Sequence, residues 1–330
     1  MSPRQSIVRS LLFLVVMSVV CGAQETTKGR DFVIAFLPNY HEAGATGDSL
    51  YVTIVATVPT VGTIDLRDRS GVRRTRTFSI TDPTRIYTLG LSSDLYELRG
   101  YNYRGAFTSA NDNEKASPAC VRVSSNQPVS VYALNKAVRS SDATLVLPVT
   151  CLGTSYVVMS CKSDMQGLGV LNTNSTPSQF CVVATEDNTE VTITPSTPTT
   201  GKGSVEQKIM LQSGQSYLVQ SVFTAANNGG YDLTGTTVSS SKAVAVFGGH
   251  QRARISITNT SGSRDHLYEQ LLPTSVWGTR YVLTPFVQPM GGWATGSDRF
   301  RVLASQDSTQ VFVNGSRVAI LNARSSYEAD

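Results

Sequence analysis

Charge is scarce in this sequence. Asp, Glu, Lys and Arg make up 16% of its 330 residues, against roughly 25% in ordinary globular chains. The 28 basic and 24 acidic residues nearly cancel, which excludes the basic footprint of a nucleic-acid binder. Long hydrophobic runs are missing beyond the first 23 residues, so no later segment offers the roughly 20 apolar residues that a membrane-spanning helix needs. Nor does any stretch keep apolar residues at spacings of three and four, which excludes an architecture built on amphipathic helices.

Thr, Ser and Val take up the difference. Hydrophobic residues reach 40%, enough for a core. Their β-branched members suit a pleated, half-buried surface, and Ser and Thr suit its wet face and turns. A chain of 330 residues fits two or three domains of roughly 100 to 200 residues each.

The first 23 residues read as an export signal. Arg4 and Arg9 precede an apolar run from Leu11 to Val20, and the small residues Cys21, Gly22 and Ala23 follow, with cleavage expected after Ala23. Its removal takes away two Arg, leaving 26 basic against 24 acidic residues and a net charge of +2. Four cysteines remain, Cys120, Cys151, Cys161 and Cys181. An even number in an exported chain favours disulfides over metal or redox roles. Every connectivity is open in principle; the expectation is Cys161 with Cys181, on strands of one module, and Cys120 with Cys151.

The chain also repeats itself. QFCVVATEDNTEVTITP (179–195) returns as RFRVLASQDSTQVFVNG (299–315), and LPVTCLGTSYVVMSC (147–161) as LPTSVWGTRYVLTPF (272–286). Leu211 and Tyr217 correspond in spacing to Leu321 and Tyr327. A fainter copy opens the mature chain. There DFVIAFLPN (31–39) and SLYVTIVATVPTVGTIDL (49–66) resemble the same stretches, and VRVSSNQPVSVYALN (121–135) matches TVSSSKAVAVFGGH (237–250). Self-similarity at about 120 residues indicates duplicated, domain-sized modules rather than a short-period solenoid.

Within a copy, alternating segments fall in pairs around polar turns, as FCVVAT and VTITP do around EDNTE, which marks β-hairpins. Asp187 and Asp307 are placed to bond their own turns, while Val182, Ala184 and Val191 alternate toward one face. The expected fold is all-β: tandem antiparallel β-sandwich-like modules of about 120 residues, at 24–150, 151–275 and 276–330, with a β-propeller-like arrangement as the alternative. The third copy stops at Asp330 before its remaining hairpin, which suggests a fragment.

Motifs that would carry chemistry are weak. GDSL (47–50) bears a nucleophilic serine in one esterase family, here Ser49, but no Asp-x-x-His block supplies a base. His250, His266 and Glu269 are the residue types of a catalytic zinc site without a short zinc spacing. TGKGS (200–204) lacks the spacing of a phosphate loop and reads as a turn. HQRARIS (250–256) and RDRSGVRRTR (67–76) are basic clusters able to meet acidic glycans, and neither interleaves the aromatics of a strand-binding groove. No metal or cofactor is called for. Asn174, Asn259 and Asn314 head glycosylation triplets if the host is a eukaryote.

Six blocks in order resemble the IgGFc-binding protein N-terminal domain family: GRDFVIAFLPN, VYALNKAVRSSDATLVLPVTCLGTSYVV, QFCVVATEDNTEVTITP, DLTGTTVSSSKAVAVFGGH, DHLYEQLLPTSVWGTRYV and FRVLASQDSTQVFVNG. The resemblance runs from about Gly29 to the end. It implies an extracellular binding or adhesion module without catalysis, with a protein or glycan partner such as immunoglobulin Fc or mucin. Arg252 and Arg264 stand where the family often carries cysteines in the GH and DHL blocks, which implies that a loop-closing disulfide is absent. The expected function is recognition of a protein or glycan by a secreted or cell-surface protein, through His250, Arg252, Arg254, Asp265 and His266. The alternatives are a structural spacer and, further off, a hydrolase using Ser49 or a His250/His266 metal site.

Overall fold

A computed structural model describes residues 27–42, 47–101, 111–163, 176–222, 231–253, 255, 264–284 and 299–329. The export signal and Arg254 lie outside the described residues. The first part of the chain forms β1 (Gly29–Ile34), β2 (Ser49–Ala56), β3 (Thr60–Arg67), β4 (Arg73–Ile80) and β5 (Tyr87–Ser92), then a single helical turn α1 (Ser93–Tyr96). The short β6 (Ala116–Ser117), the long β7 (Cys120–Ala137) and β8 (Ser140–Val146) follow. All but β6 make one 7-stranded sheet, ordered β4-β3-β7-β2-β5, with β1 and β8 also on β7.

The second sheet comprises β9 (Gly153–Val157), β10 (Ser178–Ala184), β11 (Thr189–Thr194), β12 (Gln207–Leu211), β13 (Ser216–Gln220), β14 (Thr237–Ala253) and β15 (Asp265–Gln270). Its order is β12-β11-β14-β10-β13-β6, with β9 and β15 also on β14. The plan is that of the first sheet, strand for strand. The beginning of β7 pairs with β1 and β3 and its end with β2 and β8. Likewise, the beginning of β14 pairs with β9 and β11 and its end with β10 and β15. One long strand therefore serves two groups of partners, and each antiparallel sheet curls about it. Separate four-stranded propeller blades would not share a strand in this way.

Alternation decides what each sheet buries. In β2 the inward side chains are Leu50, Val52, Ile54 and Ala56, and the residues between them are half-exposed, the period-two pattern of a strand with one wet face. Every residue of β10 is buried. Phe180, Val182 and Ala184 join the second sheet's own core with Val191, Tyr217 and Val246. Cys181 and Val183 turn the other way, into the first sheet's core, together with Leu218, Ala245, Phe247 and Tyr268. β10 is thus the middle of three layers, which explains its unbroken apolar run.

The third part forms β16 (Phe300–Leu303), β17 (Thr309–Val313), β18 (Ser316–Leu321) and β19 (Ser326–Ala329). β16 pairs with β19 and β17 with β18, as β10 pairs with β13 and β11 with β12. The quoted repeat is a shared turn device. Asn188 and Ser308 both adopt left-handed backbone, with φ of 54° and 58°. Asp187 accepts the Ser213 N–H and Asp307 the Ala323 N–H, each at 2.9 Å. Both carboxylates cap the neighbouring hairpin, not their own turn as the sequence led us to expect.

The connections between parts repeat as well. Val149–Cys151 and Thr274–Val276 are short 3-10 turns entered from Pro148 and Pro273. Each proline covers a glycine of an earlier strand: a Cβ on Gly29 would meet Pro148 at 2.2 Å, and one on Gly153 would meet Pro273 at 2.6 Å.

Candidate binding site

All three histidines of the chain gather where the ends of β7, β8, β14 and β15 meet the segment after β1. Leu98 N–H donates to the Phe36 carbonyl at 3.0 Å, which lays that segment beside Glu97. Glu97 Oε1 accepts the Asn39 N–H at 2.9 Å, and Oε2 accepts Asn135 Nδ2 at 3.0 Å. Asn39 Nδ2 donates to Asn135 Oδ1 and to the Ser140 carbonyl. His41 closes the network, with Nδ1 2.7 Å from Asp48 Oδ2 and Nε2 2.7 Å from Glu97 Oε1. Burial alone would lower its pKa, but the Glu97 and Asp48 carboxylates outweigh that effect and raise it from 6.5 to about 9. The ring is therefore an imidazolium that donates from both nitrogens.

The second sheet supplies the other two histidines. His250 Nδ1 accepts the Arg252 N–H at 3.0 Å, and His266 Nδ1 lies 3.0 Å from the His250 carbonyl, to which it donates. His266 is fully enclosed and stacks on Tyr268, ring centroids 6.0 Å apart. Desolvation lowers its pKa, against the pull of the Glu97 and Asp142 charges, so it is neutral at pH 7. Gln251 Nε2 and Gln179 Nε2 donate to the carbonyls of Asn39 and Pro38, binding the segment to the second sheet.

Of the residues singled out from sequence, His250 and His266 are buried, Arg252 is half-buried and Asp265 is exposed. The Arg252 guanidinium sits 4.2 Å above the Tyr40 ring, a cation–π contact that fixes its direction. Asp265 Oδ1 accepts the Ser141 and His266 N–H groups at 2.8 and 2.9 Å. The surface thus displays Arg252 and Asp265 over a floor of buried histidines.

The zinc trio is not brought together. Along β15, His266, Tyr268 and Gln270 point inward and Glu269 points out. Among the described residues, no hydrolase arrangement forms around Ser49 either. It opens β2, with its hydroxyl 3.5 Å from the Gly47 carbonyl, and the nearby imidazolium of His41 has no lone pair to take a proton. Thr199 bridges Gly203, so the Gly-Lys-Gly stretch is a tight turn.

The expected disulfides are absent from the structure, since none joins Cys120, Cys151, Cys161 and Cys181. Cys181 looks into the first sheet's core with Cys120, whereas Cys161 lies among Asp232, Arg301 and Glu328. Cys161 and Cys181 therefore face different neighbours. His41, Glu97 and Tyr40 escaped the sequence reading, and the only signal was the scarcity of histidine itself.

Curled antiparallel sheets of matching strand order, with almost no helix, define an all-β protein. Within that class, the chain belongs to the IgGFc-binding protein family, whose model matches residues 142–330. It is 33% identical over 165 residues to the IgGFc-binding protein of Homo sapiens, a stretch that covers 49% of this chain and 3% of that protein.

Proposed function

We propose that this chain is an exported, non-catalytic module that recognises a protein or glycan through the ridge formed by Arg252 and Asp265, with Arg254, two positions along the sequence, as a further candidate contact. The observation that carries this reading is the stacking of Arg252 on Tyr40 above the locked His41 network, which holds a guanidinium ready for an acidic or carbonyl-rich partner at little entropic cost. Family membership adds an immunoglobulin Fc or a mucin to the ligands worth testing. Export is supported by the leader sequence, and no helix among the described residues is long and apolar enough to cross a membrane. His250 and His266 act in this reading as support beneath the ridge, and the modules are taken as 24–150, 151–275 and 276–330.

The recurrence of the Gly–Pro joint favours a second reading, in which the modules serve as a spacer. The two readings separate in one experiment. Surface plasmon resonance of the mature chain against immunoglobulin Fc, mucin and a glycan array is expected to give saturable binding that weakens tenfold or more in Arg252→Ala and Asp265→Ala. Absence of binding by folded protein sinks the recognition reading in favour of the spacer.

A further inference from the structure

A cavity of about 330 Å³ opens at the other end of β7 from the histidines. Strands β3, β4 and β7 of the first sheet form its floor, and Ser213 and Gly214, in the β12–β13 turn of the second sheet, form its wall. Four arginines line it: Arg67, Arg73, Arg74 and Arg122. Two are engaged by acids. Arg122 grips both carboxylate oxygens of Asp31 and faces Asp65 across the β3–β7 ladder, and Arg74 donates to Asp68 at 3.1 Å.

The remaining two are not. Arg67 and Arg73 lie directly opposite one another on β3 and β4, a like-charge pair that destabilises a sheet. Neither has an acidic partner among the described residues, and Arg67 Nε is buried without a hydrogen-bond acceptor. A buried guanidinium N–H favours an acceptor, and an anion entering this corner would supply one.

The next joint along the chain shows the same corner filled. Gly214 and Arg324 occupy equivalent turn positions: their φ angles are 73° and 71°, and their N–H groups bond the carbonyls of Ala184 and Ala304 at 2.9 and 2.8 Å. Arg324 sends its guanidinium into its joint, where Nε donates to the Gly235 carbonyl at 2.8 Å. At Gly214 there is no side chain, and a Cβ there would meet only Cys120, at 3.9 Å. The first joint is therefore open where the second is closed by the protein's own cation, and the open one is lined by four arginines against a single carboxylate, Asp65, which accepts the Thr75 hydroxyl at 2.7 Å.

We propose that this cavity binds the sulfate or carboxylate group of an acidic saccharide, with Arg67 and Arg73 as its main ligands. The guanidinium fork matches an oxyanion in geometry and charge. The volume suits about one sugar ring, near the lower end of ordinary ligand pockets. Thr75 and Arg122 can meet ring hydroxyls, and the lining holds no aromatic side chain on which a nucleobase would stack.

The test is an NMR titration of the mature chain at low ionic strength, following arginine Nε–H signals. The probes are inorganic sulfate, inorganic phosphate, galactose 6-sulfate, N-acetylneuraminic acid, galactose and a short phosphoserine peptide. Saturable shifts with sulfate and an acidic sugar, none with galactose, and a tenfold or greater weakening in Arg67→Gln or Arg73→Gln are expected. Gly214→Asn, which keeps a residue tolerant of left-handed backbone and fills the cavity, should abolish binding with its melting curve little changed. Absence of saturable shifts, equal affinity in these variants, or preference for the phosphopeptide over both acidic sugars overturns the assignment.

Discussion

His41 gives both ring nitrogens to carboxylates inside the protein, so its charge is part of the fold. Its pKa rises from 6.5 to about 9 on folding, which means that the folded state holds the proton more tightly than the unfolded chain. The resulting stabilisation, about 3 kcal/mol by linkage, is fully present below pH 6.5 and is lost as pH climbs through 9. Urea denaturation at pH 6, 8 and 10 should show this decline, and Glu97→Gln should flatten it while lowering stability at pH 6. A pH-independent midpoint in the unaltered chain would contradict the network. No local sequence pattern announces such a residue. Glu97 lies 56 positions from His41, and only the tertiary fold brings an isolated histidine between two acids. Arg252 was legible as part of the basic cluster HQRARIS, whereas its aromatic platform, Tyr40, is 212 positions away and was not.

At the scale of elements, alternation in β2 and the polar turns between strands were readable because they depend on neighbours in sequence. The Asn314-Gly315 turn between β17 and β18, with φ of 50° and 82°, is a two-residue hairpin of the kind such dipeptides favour. β10 was legible as a strand but not as a layer, since one apolar run serves equally for one buried face with polar lapses or for two. The disulfide expectation failed for the same reason: counting cysteines reports nothing of which side of a strand each faces. Desolvation raises the Cys120 thiol to about 11 and Cys181 further still. Both should therefore resist iodoacetamide at pH 8 in the folded protein and alkylate fully in guanidinium, as read by mass spectrometry. Labelling of Cys181 at the rate of a free thiol would show that the layer above β10 is not in place.

Across the whole molecule, the two joints differ in chemistry. The first has an apolar centre, away from the arginine-lined corner: Tyr268 stacks with Phe247 at 5.5 Å and approaches Phe36 at 6.1 Å, and its hydroxyl donates to the Ala35 carbonyl at 2.8 Å. The second is polar, built from Arg324 and from Arg301, whose Nη1 donates to the Ser160 carbonyl at 2.7 Å and to Asp232. The two larger sheets should consequently unfold together in calorimetry. Phe247→Ala, at a cost of about 3–5 kcal/mol, should split that transition or shift it well below the unaltered one; an unchanged single transition would mean that the interface does not couple them.

The paired glycine and proline at each junction are a mutual fit. A side chain on Gly29 would meet Pro148 and one on Gly153 would meet Pro273, so each contact needs the smallest residue on one side while a rigid ring fills the other, and a methyl group added to either glycine would have to push the following 3-10 turn off its strand.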